Sequence, residues 1–311
     1  MRNFRKGSVF FLLLFLSGFL SAAPDKTFQF ELTGTIGKMS GDVTYQIGGT
    51  TTIMGWYSYE QHFPLSELSF PLEIWNGNIG FDFRFKKNIE AKIDITMNLS
   101  SEAGKLKDSD WLSPGRLDVF STSDTDFSGN TVDVSGAYWF ELPKHFHLAL
   151  GAGYLHQKYS WDASNLDQWY PSAPWEEHYT DTTHTVISYE SVLNMFYLEA
   201  KGKFTGNKFS VTAGLAYSPN AGITDKDDHK LRYILAKTDA DGDATRLFLQ
   251  GRYEFNEKWF IVLQIDQLKF SAEGTEKDTV YDGESYGSFW TIDHEIESTQ
   301  KNFSASAGYR F

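Results

Sequence analysis

The chain has 311 residues, a net charge of −13 and no cysteine, which argues against a nucleic-acid partner and rules out a disulfide framework. Aromatic residues make up 16% of it, with 26 Phe and 16 Tyr, yet its mean hydropathy is −0.38. Polar on average but rich in aromatics, it fits a barrel whose outer face meets lipid and whose inner face and loops meet water.

Residues 1–23 have the plan of a secretory signal peptide: Arg2, Arg5 and Lys6, an apolar stretch from Val9 to Leu20, then small residues ending at Ala22 and Ala23. That stretch is too short for a spanning helix, and no other run reaches the roughly 18 apolar residues that one needs. Residues 24–311 read as one exported domain.

Alternation organises that domain. In NIEAKIDITMNL, Ile89, Ala91, Ile93, Ile95, Met97 and Leu99 are apolar, while Glu90, Lys92, Asp94, Thr96 and Asn98 are polar. Charges on the covered face and aliphatics on the other is the pattern of a membrane barrel, and a soluble sandwich would rarely show it. Such runs give about ten strands, at 26–47, 66–85, 88–106, 130–142, 145–161, 187–204, 207–220, 243–255, 258–274 and 294–311. Short turns around Lys86, Pro143, Gly206 and Glu257 suit the periplasmic side, and the polar stretches 48–64, 107–126, 162–185, 221–240 and 275–292 read as extracellular loops. The expected class is all-β, an antiparallel transmembrane β-barrel ending on the aromatic Phe311.

Two clusters carry chemistry. In KLKDSDWLSP, Asp108 and Asp110 stand two apart, and if the strand through Leu99 continues in register both point into the barrel mouth. In ITDKDDHKL, Asp225, Asp227 and His229 are again two apart, although Pro219 and Gly222 interrupt the alternation that would say which way they face. A carboxylate that fixes a histidine's tautomer lets it take a proton from water, and a close carboxylate pair shares a proton and holds a water. Together they suit water attack on an amide without a covalent intermediate.

The order of these features resembles the omptin family of outer-membrane endoproteases: an alternating strand, D-x-D-W at its end, the strand AGYLHQKYSW, then D-x-D-x-H after the seventh strand. The resemblance implies a ten-stranded barrel that cleaves peptide bonds next to basic residues at its extracellular rim, as a monomer and without a metal. By it, Asp108 and Asp110 form a water-holding couple, His229 is the general base and Asp227 orients it. Asp42, in GTIGKMSGDVTY, and Asp225 would line the pocket for an Arg or Lys side chain. Tyr154, His156 and Lys158 would meet lipopolysaccharide, the activating lipid.

The chain also departs from the family pattern. It has GRLDVFSTSDTDF where a histidine-proline signature follows D-x-D-W, and Leu155 and His156 replace a glutamine and a glutamate. Among other motifs, TDADGDATR has its glycine misplaced for a calcium loop. Trp161, Trp169 and Trp175 fit lipid-interface anchors or the rim of a substrate groove, and no H-E-x-x-H marks a zinc protease. A barrel of the same fold that binds cationic partners without hydrolysing them, as an adhesin, stands as the rival reading.

Overall fold

A computed structural model describes residues 28–173 and 178–311, so the signal peptide and Trp175 lie outside the described residues. Thirteen strand segments make the fold: β1 Phe28–Ile53, β2 Tyr57–Glu60, β3 Ser66–Pro71, β4 Ile74–Phe85, β5 Ile89–Asn98, β6 Glu102–Asp110, β7 Val119–Glu141, β8 Phe146–Trp169, β9 His178–Thr205, β10 Phe209–His229, β11 Ile234–Glu254, β12 Trp259–Val280 and β13 Phe289–Arg310. β1 pairs with β13 from Glu31–Arg310 to Ile53–Trp290, which closes the ring. β3 and β4 share one stave beside β1, β5 and β6 share the next beside β7, and β2 is a short addition to β1. Ten staves therefore surround the barrel, as the alternating runs predicted.

The half of the barrel nearest the short turns follows the membrane pattern. Its outer face carries Ile79, Leu150, Leu198, Leu263 and Phe303, all exposed. Its interior holds ion pairs that satisfy the inward charges: Glu31 with Arg252 at 2.6 Å and Arg310 at 2.9 Å, Glu90 with Lys201 at 2.9 Å, and Asp133 with Arg246 at 2.6 Å. Left-handed φ values at Lys86 and Lys87, and at Lys144 and His145, tighten two of the turns. Phe311 returns to the first strand, its N–H bonded to the Phe30 carbonyl at 3.0 Å and its ring 5.2 Å from that of Phe30.

The other half corrects the loop assignments. Most of 107–126, 162–185, 221–240 and 275–292 is strand, and β9 alone is 28 residues long, where a strand needs roughly 9–11 to cross a membrane. The staves continue well past the apolar belt, and there the outer face turns polar while the inner face mixes aromatic with charged residues, so hydropathy stops alternating while the pleat does not. This upper half carries a buried aromatic core in which Phe70 stacks on Tyr189 at 4.1 Å and Trp161 packs on Tyr189 at 5.6 Å. Trp161 is an interior residue, 1% exposed, its indole N–H bonded to the Pro71 carbonyl at 2.8 Å, and so it neither anchors in lipid nor rims a groove.

Candidate active site

The carboxylate couple sits at the upper end of β6, which is held between β3 and β7. The path to it is not one unbroken strand. The stave breaks after Asn98, and β6 absorbs an extra residue between Glu102 and Gly104, where Gly104 has φ +118. The two irregularities cancel, Leu106 faces the core at 1% exposure, and Asp108 and Asp110 keep the inward parity that the sequence predicts. Asp108 Oδ1 is buried without a partner, and burial, then the charge of Asp110, pushes its carboxyl up to about 8. Arg232 reaches to 3.8 Å from Asp110 Oδ2. The chain beyond Trp111 turns back under Asp118, which accepts from the Leu112 and Ser113 N–H groups at 2.9 and 3.2 Å, while its own N–H bonds the Asp110 carbonyl at 2.8 Å. The divergent GRLDVF segment thus holds the couple's strand end in place.

The second cluster owes its direction to a β-bulge. Between Ser218 and Ala221 the pairing of β10 with β11 gains one residue. Below it even-numbered residues such as Ser210 and Ser218 face inward; above it Ile223, Asp225 and Asp227 do. Pro219, with no N–H to give the ladder, sits in that irregularity. Asp227 is fully buried. Its Oδ2 accepts a 2.5 Å hydrogen bond from the Tyr45 hydroxyl and lies 3.5 Å from His229 Nε2, and its Oδ1 has no partner. Burial raises the Asp227 carboxyl against the lowering effect of Tyr45. Burial, then the charge of Arg232, pushes His229 down to about 4, so the ring is neutral at neutral pH. The charge of Asp110 acts on His229 and that of Asp227 on Asp108, so couple and dyad share one electrostatic environment.

The two acids that the resemblance assigns to a pocket, Asp42 and Asp225, lie apart. Asp225 is inward and 6% exposed, two residues from Asp227. Asp42 is exposed on the outer face of β1, where the charges around it are Lys107 and Glu67, because Met39, Val43 and Tyr45 take the inward positions. The structure does not bring it beside Asp225. Beside Asp225 stand instead Glu276 of β12 and His294 of β13, at 3% and 1% exposure, with Asp278, 5% exposed, next to Glu276. His294 Nδ1 lies 2.9 Å from Glu276 Oε2, and Nε2 lies 3.2 Å from Asp225 Oδ2. Its ring stacks on Tyr45 at 5.0 Å. The donor atoms of Asp225, Glu276 and His294 lie within 4.8 Å of one another, close enough to hold a metal ion, but the two ring nitrogens already face different carboxylates.

Comparison with known proteins follows the same lines. The sequence profile described as the Omptin family matches residues 48–311. The chain belongs to the omptin family. The crystal structure of the outer membrane protease OmpT from Escherichia coli superposes with a TM-score of 0.78 at 16% identity, over 94% of this chain and 99% of that one. OprG from Pseudomonas aeruginosa (10% identity, TM-score 0.35, 91% of this chain and 95% of that one) and the translocator domain of autotransporter NalP from Neisseria meningitidis (11%, 0.36, 97% and 95%) also match. No curated protein sequence matched. Family membership makes the chain an outer-membrane barrel of the protease class.

Outside the mouth, this omptin carries Tyr154, His156 and Lys158 in one outward stripe of β8, as their parity predicts. Asn194 Oδ1 meets the Tyr154 hydroxyl at 2.7 Å and His156 Nδ1 at 2.8 Å, and Glu190 pairs with Lys158 at 2.6 Å. Asp239, Asp241 and Asp243 lie on the outer face of β11, within a strand and not in a calcium-type loop. The residues that sequence reasoning missed are Tyr45, Glu276, Asp278 and His294. Tyr45 alone had a usable signal, since Val43, Tyr45 and Ile47 alternate with Asp42, Thr44 and Gln46.

Proposed function

We propose that this omptin is an endopeptidase whose water nucleophile is activated between the Asp108–Asp110 couple and the Asp227–His229 dyad. The observation that carries the reading is the buried Asp227, bonded to Tyr45 and 3.5 Å from a neutral His229. With Nε2–H directed at Asp227, His229 keeps the lone pair of Nδ1 for the water. Water gives one proton to Nδ1, and its oxygen bonds to the carbonyl carbon. The couple, holding a proton on Asp108 below about pH 8, orients the water and donates to the developing oxyanion. Collapse of the tetrahedral intermediate breaks the C–N bond, and the imidazolium returns its proton to the leaving amine. Asp227 stabilises that imidazolium.

The site opens at the end opposite the short turns, the extracellular side in this reading. The acids around the dyad favour substrates with Arg or Lys near the scissile bond. Lipopolysaccharide against the stripe of Tyr154, His156 and Lys158 supports activity, with Lys158 offering a point charge to a phosphate, and the barrel works as a monomer. Quenched peptides with an Arg-Arg or Arg-Lys bond, given to refolded barrel with and without lipopolysaccharide, test the proposal. Cleavage is expected, with loss in D227A and H229A barrels that still show heat-modifiable gel migration. A folded native barrel that cuts no peptide in either state would sink it.

A further inference from the structure

Beneath the dyad, the position best suited to receive a cationic side chain is already filled. Asp225 and Glu276, both buried, face the two nitrogens of one imidazole, at 3.2 and 2.9 Å. For both carboxylates to be met as anions, both nitrogens must carry hydrogens, so the ring has to be the cation. Tyr45 covers one face of that ring at 5.0 Å and in turn bonds Asp227. His294 therefore sits where a guanidinium or ammonium from a peptide would bridge the same two acids, and it touches the dyad through Tyr45. The two contacts differ. Nε2 lies at ion-pair distance from Asp225 but lacks a hydrogen-bonded partner, whereas Nδ1 is hydrogen-bonded to Glu276. The Asp225 side is the looser one.

We propose that His294 is a specificity-determining residue: it occupies the Asp225–Glu276 slot as a resident cation, so that substrate bases are read at the rim and not in the slot. This rests on the peptidase reading for its meaning, but its first test does not need turnover. The ring's charge agrees with the setting, since burial works against it while the carboxylates of Asp225 and Glu276, facing its two nitrogens, raise it to about 9. Removing the ring leaves two buried carboxylates facing a vacated space, which a planar cation can bridge with charge-assisted hydrogen bonds.

Calorimetric titration of the refolded mature barrel with ethylguanidinium, a bare guanidinium head, reads the slot directly. H294A is expected to bind it at least about tenfold more tightly than the native barrel. H294K, which supplies a covalent cation, is expected to bind it as weakly as the native barrel. Equal binding by native and H294A barrels, or tight binding by H294K, would overturn the proposal. With peptides carrying Arg before the scissile bond, H294A should lower KM about tenfold more than it changes kcat; damage to the fold alone would depress kcat without lowering KM. Should the alanine barrel not fold, histidine side-chain nitrogen NMR on the native barrel decides the matter: two protonated nitrogens on His294 at neutral pH are expected, and a neutral tautomer would refute the resident cation.

Discussion

Replacing Tyr45 with Phe removes one hydroxyl from the site and keeps the ring that stacks on Phe70 at 6.2 Å, Tyr189 at 5.6 Å and His294 at 5.0 Å. Asp227 would then be left with only His229 Nε2, 3.5 Å away, since Oδ1 already lacks a partner and Oδ2 loses its 2.5 Å bond. A buried carboxylate in that condition takes up a proton more readily and stabilises the imidazolium of His229 less. A hydrogen bond to a charged group contributes about 1.5–3 kcal/mol, so if its loss is felt mainly in the transition state, kcat/KM should fall about 10- to 150-fold. The assay is the rate of quenched-peptide cleavage by refolded Y45F barrel, with KM measured separately and heat-modifiable migration as the folding control. A kcat/KM within twofold of native would refute the role given to Tyr45.

Other outcomes are equally specific. His229 must be neutral and Asp108 protonated in the proposed mechanism, so kcat/KM should fall as pH drops through about 4 and again as it rises through about 8. Arg232 holds both groups down; R232A should move both limbs to higher pH by a fraction of a unit, the residue being half exposed, and a shift to lower pH would contradict the assignment. Because the ring of His294 is raised from 6.5 to about 9, its contribution to stability should be complete below about 6.5 and lost as pH rises through about 9, read as a falling urea midpoint in native but not H294A barrels. In the lower barrel, E31A leaves Arg252 and Arg310 without their buried partner and should cost about 3–5 kcal/mol in urea unfolding from lipid vesicles, and a loss under about 1 kcal/mol would show that the network tolerates the gap.

Much of this architecture is legible in the sequence wherever one face is apolar. Ile89 to Leu99 fix their strand's faces, and the turns at Lys86, Pro143, Gly206 and Glu257 fall where the alternation reverses. Legibility fails in the upper half, where water lies outside and a polar site inside, so TDKDDH and the segment bearing Glu276 show no contrast between faces. Glu276 and His294 lie on strands that pair in register, Glu276 with Ile292 and Gly274 with His294, yet nothing in the hydropathy of 275–292 announces it. Asp42 is a different failure. Its neighbours alternate cleanly and place it outside, but a motif match counted residues along the chain and not faces of the strand. Asp108 and Asp110 face inward as the alternation predicts although their strand is broken twice, because two displacements of one residue restore the original parity.

The single extra residue in β10 decides what the upper wall can carry. Every inward acid and the histidine of the upper β10 depend on it, whereas the hydrogen-bonded wall does not, since a strand that loses the bulge still pairs with β9 and β11. Straightening the bulge with every residue kept would rotate Asp225, Asp227 and His229 to the outer surface and bring Thr224, Lys226 and Asp228 inward, whereas deleting Asn220 along with the bulge would leave them facing in. The direction of these side chains is thus set by one local irregularity in the pairing, while the wall around them is built without reference to it.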